Sequence, residues 1–288
     1  MSQEGCSVPK KHLPSTVCED VTELPPSRTA RNRVKRAAYS AGLAVEDQLE
    51  PSLGVDEARS SRFLGVEGAT VSFGQGDARI WPLRGVSVTF QRGTLSLVMG
   101  PSGSGKTTLL SMLGCLLSPD EGSVFVDDVL VNQLSETEKT AIRQKKIGFV
   151  FQAFRLFHSL SAIDNVALGF ELRDPKQSQR LEMARQLLDQ FGLGDKCNQE
   201  PNELSPGERQ RVAVARALAG DPPILLADEP TASLDAQAGR NICQILRNQV
   251  DEHGRTVVVV SHDPRWRKFA DRTITLCDGQ VEQGGRNL

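Results

Sequence analysis

The pattern of apolar and polar positions changes near residue 62. Before it, Pro, Ser and charged residues dominate, large apolar residues are few and no period is sustained. Residues 1–61 are therefore expected to be a disordered N-terminal arm. From residue 63 onward, apolar runs are closely spaced. Residues 66–73, 86–90, 95–99 and 122–126 read as strands. So does Ile147-Gly148-Phe149-Val150-Phe151, a run too short for a helix. Residues 162–192 carry helical periodicity interrupted at Asp174-Pro175. The pattern then predicts a long helix from Ser205 through Ala219, a buried strand over 224–227, a helix from Asp235 and a strand over 257–260. Hydrophobic strands alternating with helices predict an α/β fold with a mostly parallel sheet covered on both faces. Helices inserted between residues 155 and 220 would form a second lobe. No internal repeat is visible.

Composition narrows the function classes. The 288 residues suit one large domain or two small ones, and a formal net charge of −2 provides no global basic field for nucleic acid. The six cysteines are scattered, with no C-x-x-C and no histidine at zinc spacing, which predicts free thiols in a reducing compartment. No apolar run approaches the roughly 18 residues that span a bilayer. The first residues also lack the apolar segment of a signal peptide. A cytosolic protein is expected. Within the arm, Arg28, Arg31, Arg33, Lys35 and Arg36 form a basic cluster. It reads either as a solvated tail or as a contact for anionic lipid or a partner.

The chemistry-bearing stretch is Gly100-Pro101-Ser102-Gly103-Ser104-Gly105-Lys106-Thr107, which matches G-x-x-x-x-G-K-[ST]. Glycines let main-chain N–H groups converge on phosphate oxygens. Lys106 can reach the β/γ-phosphates and the Thr107 hydroxyl can ligate Mg²⁺. The preceding strand and a helix over 108–113, which turns its positive dipole end toward an anion, supply the required context. Farther along, Asp228 and Glu229 end an apolar strand, where open α/β sheets place ligands. Asp228 could hold Mg²⁺ and Glu229 could orient or deprotonate a water; alternatively the pair caps the next helix or faces solvent. In Leu204-Ser205-Pro206-Gly207-Glu208-Arg209-Gln210, Ser205 suits an N-cap, Pro206 the first helical position and Glu208 a capping box. A well-capped helix and a phosphate-binding helix start are both consistent with that stretch. Ser205 could accept from the helix backbone and still donate its proton to a γ-phosphate oxygen. Ser261-His262-Asp263 after a strand reads as a turn or as a contact for phosphate, and adjacent positions cannot form a hydrolase relay in sequence order alone.

Taken in order, these motifs resemble those of the nucleotide-binding subunits of ABC transporters over roughly residues 64–284. The P-loop, the Q-loop residue Gln152, the signature at 204–210, Asp228-Glu229 and the switch residue His262 carry the resemblance. Ser233-Leu234-Asp235 resembles the D-loop, and Phe73 falls near the position of the aromatic that stacks on adenine. Gly148-Phe149-Val150-Phe151-Gln152, Asp164-Asn165-Val166, the run 209–218 and Asp228-Glu229-Pro230-Thr231 are similar to the lipoprotein-releasing and macrolide-export group. The resemblance implies a P-loop NTPase core over 62–288, with an antiparallel β subdomain and an inserted α-helical subdomain at about 155–220. It implies an ATPase using ATP and Mg²⁺. Gly100 through Thr107 with Thr108 would bind nucleotide, and Thr107, Gln152 and Asp228 would serve the metal. Glu229, His262 and Gln152 would act in catalysis. Ser205 and Gly207 would complete the site from a second copy, giving a homodimer with two composite sites. A separate integral-membrane permease is implied, with this chain peripheral on the cytoplasmic face, and no nucleic-acid partner.

Some positions depart from that pattern or leave it open. Pro206 stands where the family has glycine and removes one N–H, but Ser205 and Gly207 are retained, so an active ATPase is expected. Glu208 replaces the common glutamine. Phe154, Leu156, Phe157 and Leu160 are apolar for a surface loop, and read either as core of the helical lobe or as a groove for a permease helix. Two other functions are compatible with the motifs: a membrane-associated ATPase that transmits mechanical signals without transport, and a nucleotide-gated scaffold with weak hydrolysis. No long coiled-coil insertion or zinc hook divides the P-loop from the signature, which argues against a DNA-repair ABC ATPase.

Overall fold

The computed structural model describes residues 62–171 and 176–282; the expected arm at 1–61 and the interruption at Asp174-Pro175 lie outside the described residues. Strands β1 (Leu64–Phe73), β2 (Ile80–Phe90) and β3 (Leu95–Met99) precede helix α1 (Lys106–Leu113). Then come β4 (Glu121–Val126), β5 (Val129–Leu130), α2 (Glu136–Lys146) and β6 (Ile147–Val150). Helices α3 (Ala162–Glu171), α4 (Gln177–Gln190) and α5 (Pro206–Leu218) follow. Beyond them lie β7 (Ile224–Asp228), α6 (Ala236–Asp251), β8 (Thr256–Val260), β9 (Arg272–Cys277) and β10 (Gln280–Glu282).

Two sheets form. The order β2-β1-β4-β5 is antiparallel throughout. The order β10-β9-β3-β8-β7-β6 is parallel except for the β9–β10 hairpin. Every residue of β7 and β8 is buried, as a parallel strand covered on both faces requires. Their side chains alternate between two cores. Ile224, Leu226, Val258 and Val260 pack with Leu109 and Leu110 of α1 and with the antiparallel sheet. Leu225, Ala227, Val257 and Val259 pack instead with Val214 of α5, Leu246 of α6 and Trp266. Each such fully buried aliphatic side chain contributes about 1.5–3 kcal/mol. A third core joins Val166 of α3, Leu188 of α4 and Val212 of α5.

Three differences from the sequence expectations have physical causes. The strand expected over 86–90 begins at Ile80, because Pro82 is tolerated on a strand at the end of a sheet. Helix α2, which no apolar stripe announces, is held by a capping box in which Ser135 and Glu138 bond reciprocally. Acidic residues in its first turn and basic ones in its last complement its dipole. Strands β9 and β10 have too few large apolar residues to stand out, yet β9 pairs with β3 and buries Ile274 and Leu276.

Candidate active site

The P-loop runs from the end of β3 to Lys106, the first residue of α1, two residues earlier than the helix expected from the pattern. Its tightness comes from two glycines. A Cβ on Gly100 would lie 2.0 Å from Leu276 O, and one on Gly105 would lie 2.3 Å from Pro82 O. Gly105 also has φ +100°, a conformation that side chains disfavour. Pro101, Ser102 and Gly103 are exposed, while Ser104 is buried and its Oγ has no hydrogen-bond partner among the described residues. Lys106 Nζ donates to Gly100 O at 2.9 Å and Pro101 O at 2.8 Å, leaving one of its three protons for an anion. Thr108 is half-buried on α1. A backbone cradle that excludes Cβ atoms, an orphaned hydroxyl and an ammonium at a helix start together fit a polyphosphate.

Asp228 and Glu229 stand at the carboxyl end of β7, beside that loop. Thr107 Oγ1 donates to Asp228 Oδ1 at 3.2 Å. Burial pushes the Asp228 carboxyl above its ordinary value and the Glu229 charge adds to this, against the Thr107 hydrogen bond. Glu229 has φ +44°, a left-handed backbone that costs a non-glycine residue about 1–3 kcal/mol. Its N–H donates to Val260 O at 2.9 Å, which pins the turn to β8. The carboxylate is held from three directions. Ser261 Oγ donates to Oε2 at 2.8 Å, the His262 N–H to Oε1 at 3.2 Å, and His262 Nδ1 lies 2.8 Å from Oε1. The rest of the His262 side chain is 68% exposed. The fold thus joins Thr107, Asp228, Glu229 and His262, with His262 against Glu229 rather than free to face an incoming phosphate alone. Ser261, which sequence reasoning passed over, holds the other carboxylate oxygen.

The signature turn is placed differently. Ser205 caps α5 and Gly207 packs against α6, where a Cβ would lie 3.0 Å from Ala238 Cβ. Ser205 Oγ accepts from Glu208 N at 3.4 Å and donates to Glu208 Oε2 at 2.8 Å. In this structure the Ser205 proton is bonded to Glu208, whose charged carboxylate is a stronger acceptor than a neutral amide. Lys196 Nζ lies 2.7 Å from the other Glu208 oxygen. Gln152 is exposed just past β6. The loop after it has positive φ at Phe154 and Arg155, and Arg216 of α5 donates to both of their carbonyls, at 3.0 and 2.6 Å. Leu156 is buried and Phe154 packs on the helical core, while Phe157 is 56% exposed. The loop therefore divides between the two readings its apolar residues allowed.

Phe73 ends β1, pairs with Ile80 and is 44% exposed. A cleft of about 540 Å³ beside the P-loop is lined by Arg79, Trp81, Pro82, Gly103 and Gly279. The Arg79 guanidinium stacks 4.2 Å from the Trp81 ring centroid. Trp81 was not singled out by the sequence, which placed the start of this strand only at residue 86.

Comparison with known proteins bears on the family and the fold. The ABC transporter family matches residues 83–232. The ABC transporter ATP-binding protein MJ0796 of Methanocaldococcus jannaschii is 44% identical over 222 residues, 76% of this chain and 94% of that one. The lipoprotein-releasing system ATP-binding protein LolD of Bacteroides thetaiotaomicron is 40% identical, covering 76% of this chain and 98% of its own. The macrolide export ATP-binding/permease protein MacB of Aggregatibacter actinomycetemcomitans is 44% identical over 73% of this chain, which spans only 32% of that longer protein. Among solved structures, the dimeric post-hydrolysis state of the MJ0796 cassette bound to ADP and Pi superposes with a TM-score of 0.74 at 41% identity. That match covers 78% of this chain and 98% of the other.

Proposed function

Because the chain belongs to the ABC transporter family and is an ATPase of that type, we propose that it works as a homodimer driving a separate membrane permease. Each ATP site is built from the P-loop of one protomer and the signature turn of its partner. The supporting observation is a division of labour within one chain. Thr107 bonds Asp228 and His262 bonds Glu229, two neighbouring pairs beside the carboxyl ends of β7 and β8, while Ser205 and Gly207 are bonded and packed elsewhere, on Glu208 and Ala238. The dimeric MJ0796 cassette with ADP and Pi supports the same arrangement.

In this reading Lys106 and the backbone of residues 100–108 bind the phosphates, and Phe73 packs on the base. Glu229, held in orientation by Ser261 and His262, positions and deprotonates the attacking water. When the His262 ring leaves Glu229 to meet the γ-phosphate, Ser261 Oγ and the His262 N–H keep hold of the carboxylate. Thr107 Oγ1 and the Asp228 carboxylate are hard oxygen donors on one side of the cradle, and they fit Mg²⁺ with Gln152 completing the set. A Mg²⁺ held by these residues would supply positive charge to offset that of the nucleotide phosphates. Ser205 and Gly207 of the partner close on the γ-phosphate, so ATP binding shuts the dimer and hydrolysis releases it.

No described helix is long and apolar enough to cross a membrane. Exposed Leu116 and Phe157 offer a surface for the proposed permease, which would keep the ATPase at the cytoplasmic face. The similarity to LolD and MacB favours export or extraction of lipoprotein, lipid or drug-like cargo. The test uses Glu229→Gln, which should lose about 100-fold or more in phosphate release and still dimerise with ATP, read by light scattering after gel filtration. A Glu229→Gln chain that stays monomeric with saturating ATP and Mg²⁺ refutes the proposal.

A further inference from the structure

Arg265 lies just past the switch loop and bonds in two directions. Its backbone N–H donates to Asp263 Oδ1 at 2.9 Å; Nε donates to Oδ2 at 2.8 Å and Nη2 lies 2.7 Å from the same oxygen. Nη1 points the other way and donates to Asp235 O at 3.2 Å. Gly239 makes room for it, since a Cβ there would lie 2.2 Å from Nη1 and 2.7 Å from the guanidinium carbon.

Both ends of this fork lead to the proposed chemistry. On one side, the Asp263 N–H donates to Ser261 Oγ at 3.1 Å, and Ser261 Oγ donates to Glu229 at 2.8 Å. On the other, Asp235 caps α6, whose Ala238 packs against Gly207 of the signature turn. Asp235 accepts the Gln237 and Ala238 N–H groups at 2.8 and 2.9 Å, so the first turn of α6 moves as one piece with the carbonyl that Arg265 holds. A planar guanidinium carries donors on opposite edges and can bridge two acceptors that lie on opposite sides of it.

We propose that Arg265 is a positioning residue that holds the Glu229–His262 loop in register with the Gly207 turn of the same chain, and so couples the two ATP sites of the dimer. The inference rests on the head-to-tail dimer above, in which Glu229 and Gly207 of one protomer serve different sites. Opening or closing at one site would then be transmitted through α6 to the other, with no ligand contact by Arg265 itself.

The test compares the full chain with Arg265→Ala, Gly239→Ala and the double variant. Gly239→Ala keeps every group of Arg265 but pushes the guanidinium off Asp235. In nucleotide-free protein, hydrogen exchange over 235–240 should rise about fivefold in each single variant, with melting otherwise close to wild type. In ATP titrations, kcat should fall about fivefold while KM stays within about twofold, and the Hill coefficient should drop from above 1 to about 1. The double variant should match Arg265→Ala alone, because the added methyl then has nothing to displace. A wild-type Hill coefficient of 1, wild-type exchange and kinetics in Arg265→Ala, or multiplying effects in the double variant would each overturn the coupling. If the Glu229→Gln chain does not dimerise with ATP, the dimer itself is refuted and the coupling with it. If it dimerises and Arg265→Ala behaves as wild type, only the coupling falls.

Discussion

Replacing Glu208 with glutamine removes a charge that the signature turn holds in place. Lys196 Nζ sits 2.7 Å from Oε1, and both the N–H and the O–H of Ser205 donate to Oε2 at 2.8 Å. The Lys196 hydrogen bond, joined by those from Ser205 and opposed by burial, brings the carboxyl from 4.5 down to about 2. Glutamine keeps a neutral acceptor for the cap but loses the ion pair, worth about 0–1 kcal/mol in contact with water. It also loses an anion at the helix start, worth about 0.3–1 kcal/mol, so the expected loss at pH 7 is about 0.3–2 kcal/mol. The folded pKa lies below the unfolded one, so this contribution is complete above about pH 4.5 and is lost as pH falls through that value toward 2. Urea denaturation of wild type and Glu208→Gln should therefore differ by about 0.3–2 kcal/mol at both pH 7 and pH 6, and by about a quarter less at pH 4. Equal stability at pH 7, or a difference that does not shrink by pH 4, refutes the assignment of that charge to the cap.

Other substitutions probe the remaining parts. Pro206→Gly should change ATP turnover by less than about threefold and cost about 0.5–1 kcal/mol, because proline suits the first helical position and restricts the unfolded chain. Activity appearing only in the glycine variant would contradict this. Gly105→Ala places a methyl 2.3 Å from Pro82 O at φ +100°, so calorimetry should find nucleotide binding lost and stability lower by about 2 kcal/mol or more. Arg216→Ala removes the donors to Phe154 O and Arg155 O. Hydrogen exchange over 152–157 should then rise about tenfold, and unchanged exchange would show that the loop holds itself.

Much of the site could be read from local chemistry. Gly100 through Thr107 announced a phosphate cradle because the residue types there are dictated by backbone approach, and the close approaches at Gly100 and Gly105 supply that reason. Asp228 and Glu229 could be singled out only beside the P-loop, since two acids after an apolar strand can also cap a helix or face solvent. Helix α5 was legible through its capping box. Ser261, Trp81 and Arg265 were not, since serine, tryptophan and arginine near strand ends serve many purposes. Helix α2 was missed because it is stabilised by caps and charges rather than by an apolar face.

The sequence alone therefore determined the strand–loop–helix units, the residue types of the phosphate cradle and the capping of the signature helix, all of which depend on neighbours within a few positions. Tertiary structure decided the orientation of the functional groups. Glu229 and His262 meet only because β7 and β8 pair in parallel and end level. Lys196 reaches Glu208 from outside α5, and Gly207 reaches Ala238 across more than one element. Those outcomes depend on strand register and helix packing between residues far apart in the chain, which no local pattern encodes.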